Sequence, residues 1–324
     1  MDVLSGEREP VIELRGLTKM YGEHAAVSRL DLTIGRGEVF GLLGPNGAGK
    51  TTTILMMLGL TEPTSGTARV LGLDPTRSPL QIKRRVGYMP DDIGFYEDRT
   101  AIDNLIYTAR LNRIPTAEAE SRARELLARV GLADAAGKRV GAFSRGMRQR
   151  LGLADVLIKR PEIIILDEPT LGIDPEGVRE LLELITRLSR EEQITVLLSS
   201  HHLHQVQQVC DRVGLFVKGR LIACGDIETL SKQLDEEGTV TVELELESWP
   251  DGLEGKLTGI EGVMSIRRGE GGKASVVCRS DLTADIAQTV VGCGGRLVAI
   301  SRRKYGLDDI YHRYFEGGGE AHGA

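Results

Sequence analysis

The sequence predicts an α/β protein in two parts: a mixed sheet with an antiparallel β subdomain and a helical insert, then a small α+β domain. Three observations carry this. The loop Gly44-Pro45-Asn46-Gly47-Ala48-Gly49-Lys50-Thr51 stands between an apolar run at 39–43 and an apolar segment at 52–58, and so reads as strand, glycine loop, helix. The continuous apolar runs at 163–166 and 195–198 have the character of strands buried on both faces of a parallel sheet. From Asp235 the pattern restarts and reads βαββαβ, the order of a ferredoxin-like domain.

Taken in order, residues 11–15 and 30–34 alternate apolar and polar side chains around a turn at Tyr21-Gly22, which predicts antiparallel strands. Short strands follow at 67–71 and 86–89. Residues 92–160 form the helical insert, with helical spacing over 102–114 and 117–130 and Thr116 placed to cap the second helix. A helix over 175–190 joins the two buried strands, and 213–217 with 220–223 reads as a closing hairpin. The expected boundaries are 1–232 for the first domain, 233–316 for the second and 317–324 for a disordered tail. In the second domain we expect strands at 239–247, 263–268, 275–279 and 296–302, and helices at 251–259 and 282–291. A final amphipathic helix is expected over 307–315, its stripe made of Leu307, Ile310, Tyr311 and Tyr314.

Composition narrows the function. The 324 residues carry 41% hydrophobic and 27% charged side chains, enough for one large domain and a smaller one. A net charge of -6 argues against a surface built for nucleic-acid phosphates, so no nucleic-acid partner is expected. Cys210, Cys224, Cys278 and Cys293 show neither zinc-ligand nor disulfide-framework spacing and read as reduced thiols. No apolar run approaches the roughly 18 to 20 residues that span a bilayer, so any role at a membrane must come through a partner.

The glycine loop carries chemistry. Its glycines let backbone N–H groups converge on phosphate oxygens, and the helix that opens at Lys50 points its positive end at them. In this pattern Lys50 reaches the β- and γ-phosphates and the Thr51 hydroxyl binds Mg²⁺. The bland alternative is a flexible turn in a chain with 40 glycines, which leaves the flanking strand and helix unexplained. At 163–168 a buried strand ends in Asp167 and Glu168, at the edge where open α/β sheets bind ligands. A phosphate loop needs such an acid for Mg²⁺, and Glu168 is placed to polarise water. Alone, the pair also suits a strand that exits into solvent.

Three further segments complete a constellation: Phe143-Ser144-Arg145-Gly146-Met147-Arg148-Gln149-Arg150-Leu151 upstream of the acidic strand, Leu171-Gly172-Ile173-Asp174-Pro175 after it, and Ser199-Ser200-His201 at the end of the next strand. With all five in this order, residues 11–231 resemble an ABC transporter ATPase subunit, of the branch serving drug, lipid or polysaccharide exporters. The resemblance implies a P-loop NTPase core that binds ATP and Mg²⁺ and hydrolyses ATP. It makes Gly44, Pro45, Asn46, Gly47, Ala48, Gly49, Lys50, Thr51 and Thr52 the phosphate cradle (Walker A), and Tyr21 the aromatic that stacks on adenine. It makes Asp167 the metal-holding (Walker B) acid, Glu168 the catalytic glutamate, Asp174 the aspartate of the loop after it, and His201 the switch histidine at the γ-phosphate. His202 competes for that role, whereas His204 reads as a solvated helix residue.

Ser144 and Gly146 hold the places of the signature segment, which in the family completes the nucleotide site of a second copy; Arg145 and Met147 depart from the usual Ser-Gly-Gly-Gln. Asp91 stands where most of the family has a Mg²⁺-sensing glutamine, and its carboxylate can still offer oxygen to a metal. The implied partners are integral membrane permease subunits and a second copy of the chain, at the inner face of the cell membrane. A soluble ABC-type ATPase with a non-transport role is the alternative; it would call for a second phosphate loop or a long coiled-coil insert, and the sequence has neither. A nucleotide kinase would leave the signature segment and Ser199-Ser200-His201 unexplained.

Overall fold

The structure, a computed structural model, describes residues 8–202, 206–230 and 240–303. It divides into two compact units, Met1–Asp226 and Ile227–Ala324. The expectations for His204, for the helix at 307–315 and for the tail at 317–324 fall outside the described residues.

In the first unit, β1 (Pro10–Tyr21) and β2 (His24–Gly35) form a long antiparallel hairpin, and β1 also pairs with β4 (Ser65–Val70), giving the order β2-β1-β4. Both hairpin strands run well past the expected 11–15 and 30–34. The alternation breaks at Gly16, whose φ is 55° and whose N–H donates to Asp31 Oδ1 at 2.8 Å. A register shift there absorbs the break, and pairing resumes as far as Tyr21 opposite His24.

The second sheet has the order β5-β6-β7-β3-β8-β9, from β3 (Val39–Leu43), β5 (Val86–Met89), β6 (Ile163–Asp167), β7 (Thr195–Ser200), β8 (Arg212–Val217) and β9 (Arg220–Gly225). The first five are parallel and β9 is antiparallel at the edge. Every residue of β3, β6 and β7 is buried, as expected of strands covered on both faces of a parallel sheet. Full burial of each large aliphatic side chain contributes about 1.5 to 3 kcal/mol, so this sheet is the rigid platform of the unit.

The helices of this unit with described bounds are α1 (Lys50–Met57), α2 (Pro79–Arg85), α3 (Ala101–Leu111), α4 (Thr116–Arg129), α5 (Arg145–Leu157) and α6 (Pro175–Glu192). The insert is α3, α4 and α5 with two short 3-10 turns. Thr100 opens α3 with a reciprocal capping box to Asp103. Thr116 does not cap α4: Pro115 takes the N-cap place, no side chain caps it, and Thr116 is the first helical residue. Pro115 has the extended conformation an N-cap needs and no N–H to leave unpaired. Among the described residues no helix is long and apolar enough to cross a membrane.

The second unit contains β10 (Val240–Leu246), α7 (Leu253–Thr258), β11 (Val263–Arg268), β12 (Lys273–Cys278), α8 (Thr283–Gly292) and β13 (Leu297–Arg302). Its antiparallel sheet has the order β11-β12-β10-β13, so β12 lies between the two strands that α7 connects. Val242, Leu244 and Leu246 pack with Leu253, Leu257, Ile286 and Val290 into its own core.

Candidate functional site

The strand order sets the chemistry. β7 lies between β6 and β3, with Asp167 paired to Ser199 and Leu43 to Ser200. The carboxyl ends of these three strands therefore bring the glycine loop, Asp167-Glu168 and Ser200-His201 to one edge.

At the glycine loop, Gly49 is the N-cap of α1 with φ 104°, and a Cβ there would lie 2.2 Å from the Ala26 carbonyl oxygen. Only glycine fits. No side chain caps α1, so its first N–H groups stay open to an anion. Lys50 is buried; its Nζ donates to the carbonyls of Gly44 (2.7 Å) and Pro45 (3.2 Å) and lies 3.6 Å from Glu168 Oε1. Burial holds its ammonium below the usual lysine range, against the opposing pull of Glu168 and Asp167. Such a cation gains from meeting an anion.

The Thr51 hydroxyl donates to Asp167 Oδ2 at 2.8 Å, while Asp167 Oδ1 is buried without a hydrogen-bond partner. Two oxygens from two elements, one of them an orphaned carboxylate oxygen, suit a hard divalent cation. Glu168 follows with a left-handed backbone, φ 50°, which costs a non-glycine residue of order 1–3 kcal/mol. Its N–H donates to the Ser199 carbonyl at 3.0 Å, and both its carboxylate oxygens are buried without a hydrogen bond. His201 Nδ1 lies 2.9 Å from Glu168 Oε2, at an angle outside hydrogen bonding. The rings of His201 and His202 are 3.9 Å apart, centre to centre, and the His202 backbone N–H donates to Ser200 Oγ at 3.0 Å. His201, not His202, faces the glutamate.

A cavity of about 340 Å³ opens in front of these groups. Asn46, Gly47, Ala48, Gly49, Lys50, Thr51 and Thr52 line it, as do Asp91, Asp167 and Glu168. Tyr21 lines it too; this ring is 52% exposed and carries Lys19 Nζ 5.2 Å from its centre. One lining residue was invisible in the sequence. His24 reaches the cavity only through the hairpin register that sets it opposite Tyr21. Outside the lining, the Tyr88 hydroxyl is pushed up to about 12 by burial and by the charges of Asp167 and Asp91.

Ser144, Gly146 and Asp174 do not line this cavity. Ser144 is the N-cap of α5 and accepts from the Met147 N–H at 3.3 Å; Asp174 is the N-cap of α6 and accepts from the Gly177 N–H at 3.3 Å. The two segments pack on each other: a Cβ at Gly146 would sit 3.4 Å from Ile173 Cγ2.

Comparison with known proteins agrees with this geometry. The ABC transporter family profile matches residues 27–171. The bacitracin transport ATP-binding protein BcrA of Bacillus licheniformis is 43% identical over 212 residues, 65% of this chain and 68% of that one. The daunorubicin/doxorubicin resistance ATP-binding protein DrrA of Streptomyces peucetius is 39% identical over 223 residues, 69% of this chain and 67% of that one. An ATP-binding cassette solved as a dimer in a post-hydrolysis state, with ADP and Pi, shares the fold with a TM-score of 0.62 at 24% identity, over 66% of this chain and 98% of that one. A glycine loop that holds Lys50 against Glu168 and bonds Thr51 to Asp167, on a chain this similar to transport ATPases, identifies the protein as a member of the ABC transporter ATP-binding subunits and as an ATPase.

Proposed function

We propose that the chain powers an exporter as a pair of copies arranged head to tail beneath two membrane permease subunits, at the inner face of the cell membrane. The observation that carries this is the division of the site. The cradle, the acids and His201 meet at one edge, while Ser144, Gly146 and Asp174 stand apart from that cavity in the same chain. A second copy, turned head to tail, supplies its signature segment to the first copy's nucleotide.

In this reading Tyr21 stacks on adenine, and the residues Gly44 to Thr52 wrap the phosphates. Lys50 leaves the carbonyls of Gly44 and Pro45 for phosphate oxygens. Thr51 and Asp167 hold Mg²⁺, with Asp91 as a further oxygen from the far wall. When bound, Mg²⁺ neutralises charge on the phosphate oxygens. Glu168 orients the attacking water and takes its proton, and His201, beside the glutamate, meets the γ-phosphate. The second unit acts as a regulatory or dimer-stabilising domain. The drug names carried by the relatives fit an exporter whose cargo is chosen by the permease. Purifying the tagged chain from membranes tests this: recovery with two integral membrane subunits, and ATP hydrolysis that rises on their reconstitution in lipid, is expected. Recovery as a soluble protein with full, unstimulated hydrolysis would contradict it.

A further inference from the structure

Hydrolysis of the terminal phosphoanhydride forms a bond from the water oxygen to the γ-phosphorus. It breaks the bond to the β,γ-bridging oxygen, whose electron pair leaves with ADP, and the water proton passes to Glu168. Negative charge spreads over the phosphoryl oxygens. Among the residues that line the cavity, Lys50 is the one lysine, and no arginine lines it. Lys50 is itself shared with Glu168 at 3.6 Å. A second cationic side chain would have to come from outside this cavity.

The signature segment carries one. Met147 has no N–H or O–H on its side chain, whereas Arg145, two residues earlier, has five donors in a fixed fork. The next two arginines on α5 are committed within the chain: Arg148 to Glu97 at 2.7 Å and Arg150 to Glu180 at 3.0 Å. Arg145 is exposed, and among the described residues it makes no ion pair or side-chain hydrogen bond. Its stem is nonetheless fixed. A Cβ at Gly172 would lie 2.7 Å from Arg145 Cδ and 2.9 Å from Nε, so the side chain lies flat against the backbone of that glycine. A hollow of about 470 Å³, which Arg145 lines with Asp91 and Asp92, leaves the guanidinium room to turn.

We propose that Arg145 is a catalytic arginine acting in trans: the guanidinium of one copy meets the γ-phosphate oxygens of the nucleotide held by the other copy's Lys50. This rests on the head-to-tail reading above. The donor lost at Met147 returns at Arg145, with a full charge added. Arg145 does not line the cavity in front of its own chain's Lys50, though the two hollows share Asp91.

The test mixes two damaged variants of the full chain before ATP is added. Arg145→Ala alone should lower kcat by about 10³-fold, the low side of what a trans arginine contributes to phosphoryl transfer, with a smaller change in KM. Arg145→Lys should recover part of it. Glu168→Gln alone should be nearly inactive. A mixed dimer holds one site with an intact Glu168 from the first chain and an intact Arg145 from the second, so the mixture should exceed the summed rates of its parts. The double variant mixed with wild type forms no such site and should show no gain. Arg145→Ala at the wild-type rate would overturn the proposal. So would a mixture that only sums its parts while Glu168→Gln still dimerises with ATP. If Glu168→Gln stays monomeric with ATP, the head-to-tail reading fails and Arg145 in trans fails with it.

Discussion

Two helix starts in this molecule carry the same element of chemistry, free N–H groups at a positive helix end, and they are built in opposite ways. α1 opens at Gly49 with no side-chain cap, on a buried lysine and in front of a cavity. α5 opens at Ser144, whose hydroxyl already accepts from the Met147 N–H, on an exposed segment. The first is preorganised to take phosphate within its own chain. The second is finished locally; its bond of 3.3 Å is long enough to be given up when a stronger acceptor arrives. The contrast teaches that one chain holds the binding half of the site in a fixed, desolvated form and presents the other half outward.

The largest break in the binding half is Lys50→Ala. Removing the cavity's lysine leaves it lined by Asp91, Asp167 and Glu168 with no lysine or arginine to offset them. Nucleotide titration should show binding lost by about two orders of magnitude, and phosphate release should fall at least as far. An unchanged affinity would mean that the phosphates do not lie on this loop.

The next effect separates two neighbours. His201→Ala, which removes the ring 2.9 Å from Glu168, should lower the ATPase rate severely, by about 10² or more. His202→Ala should stay within a few-fold. The reverse order, measured under saturating ATP, would place the switch one residue later.

Asp91→Gln probes the wall shared by both hollows. An amide binds Mg²⁺ more weakly than a carboxylate, so the Mg²⁺ concentration for half-maximal hydrolysis should rise by roughly a few-fold. No change would assign Asp91 to solvent. The smallest effect is expected from deleting residues after Ser231. Nucleotide binding should be intact, while specific activity should fall more steeply on dilution than in the full chain, because a dimer-stabilising unit raises local concentration without touching the chemistry. Identical dilution curves would leave that unit a regulatory role.

Much of this was legible in the sequence because its signals are local. The apolar run, the glycines and the acid pair lie within a few residues of the atoms they position. β5 and β11 span the expected 86–89 and 263–268. The helix α2 was not legible: its seven residues bury only Ile82, and Leu80 is 72% exposed, so there is no periodic stripe to read. Thr116 misled because a capping residue type stood one place inside the helix. His24 and the left-handed Glu168 were also hidden. The first depends on strand register, the second on a backbone turn whose N–H bonds the Ser199 carbonyl, and neither leaves a mark in residue type.

The central claim, a site shared by two copies, is tested most directly by Glu168→Gln with ATP and Mg²⁺ on size-exclusion chromatography. The amide cannot take the proton of water, while the cradle keeps its lysine and its open N–H groups, so nucleotide should persist in a closed pair. The account predicts a stable dimer carrying ATP and almost no hydrolysis. A protein that remains monomeric and hydrolyses ATP at the wild-type rate would contradict it.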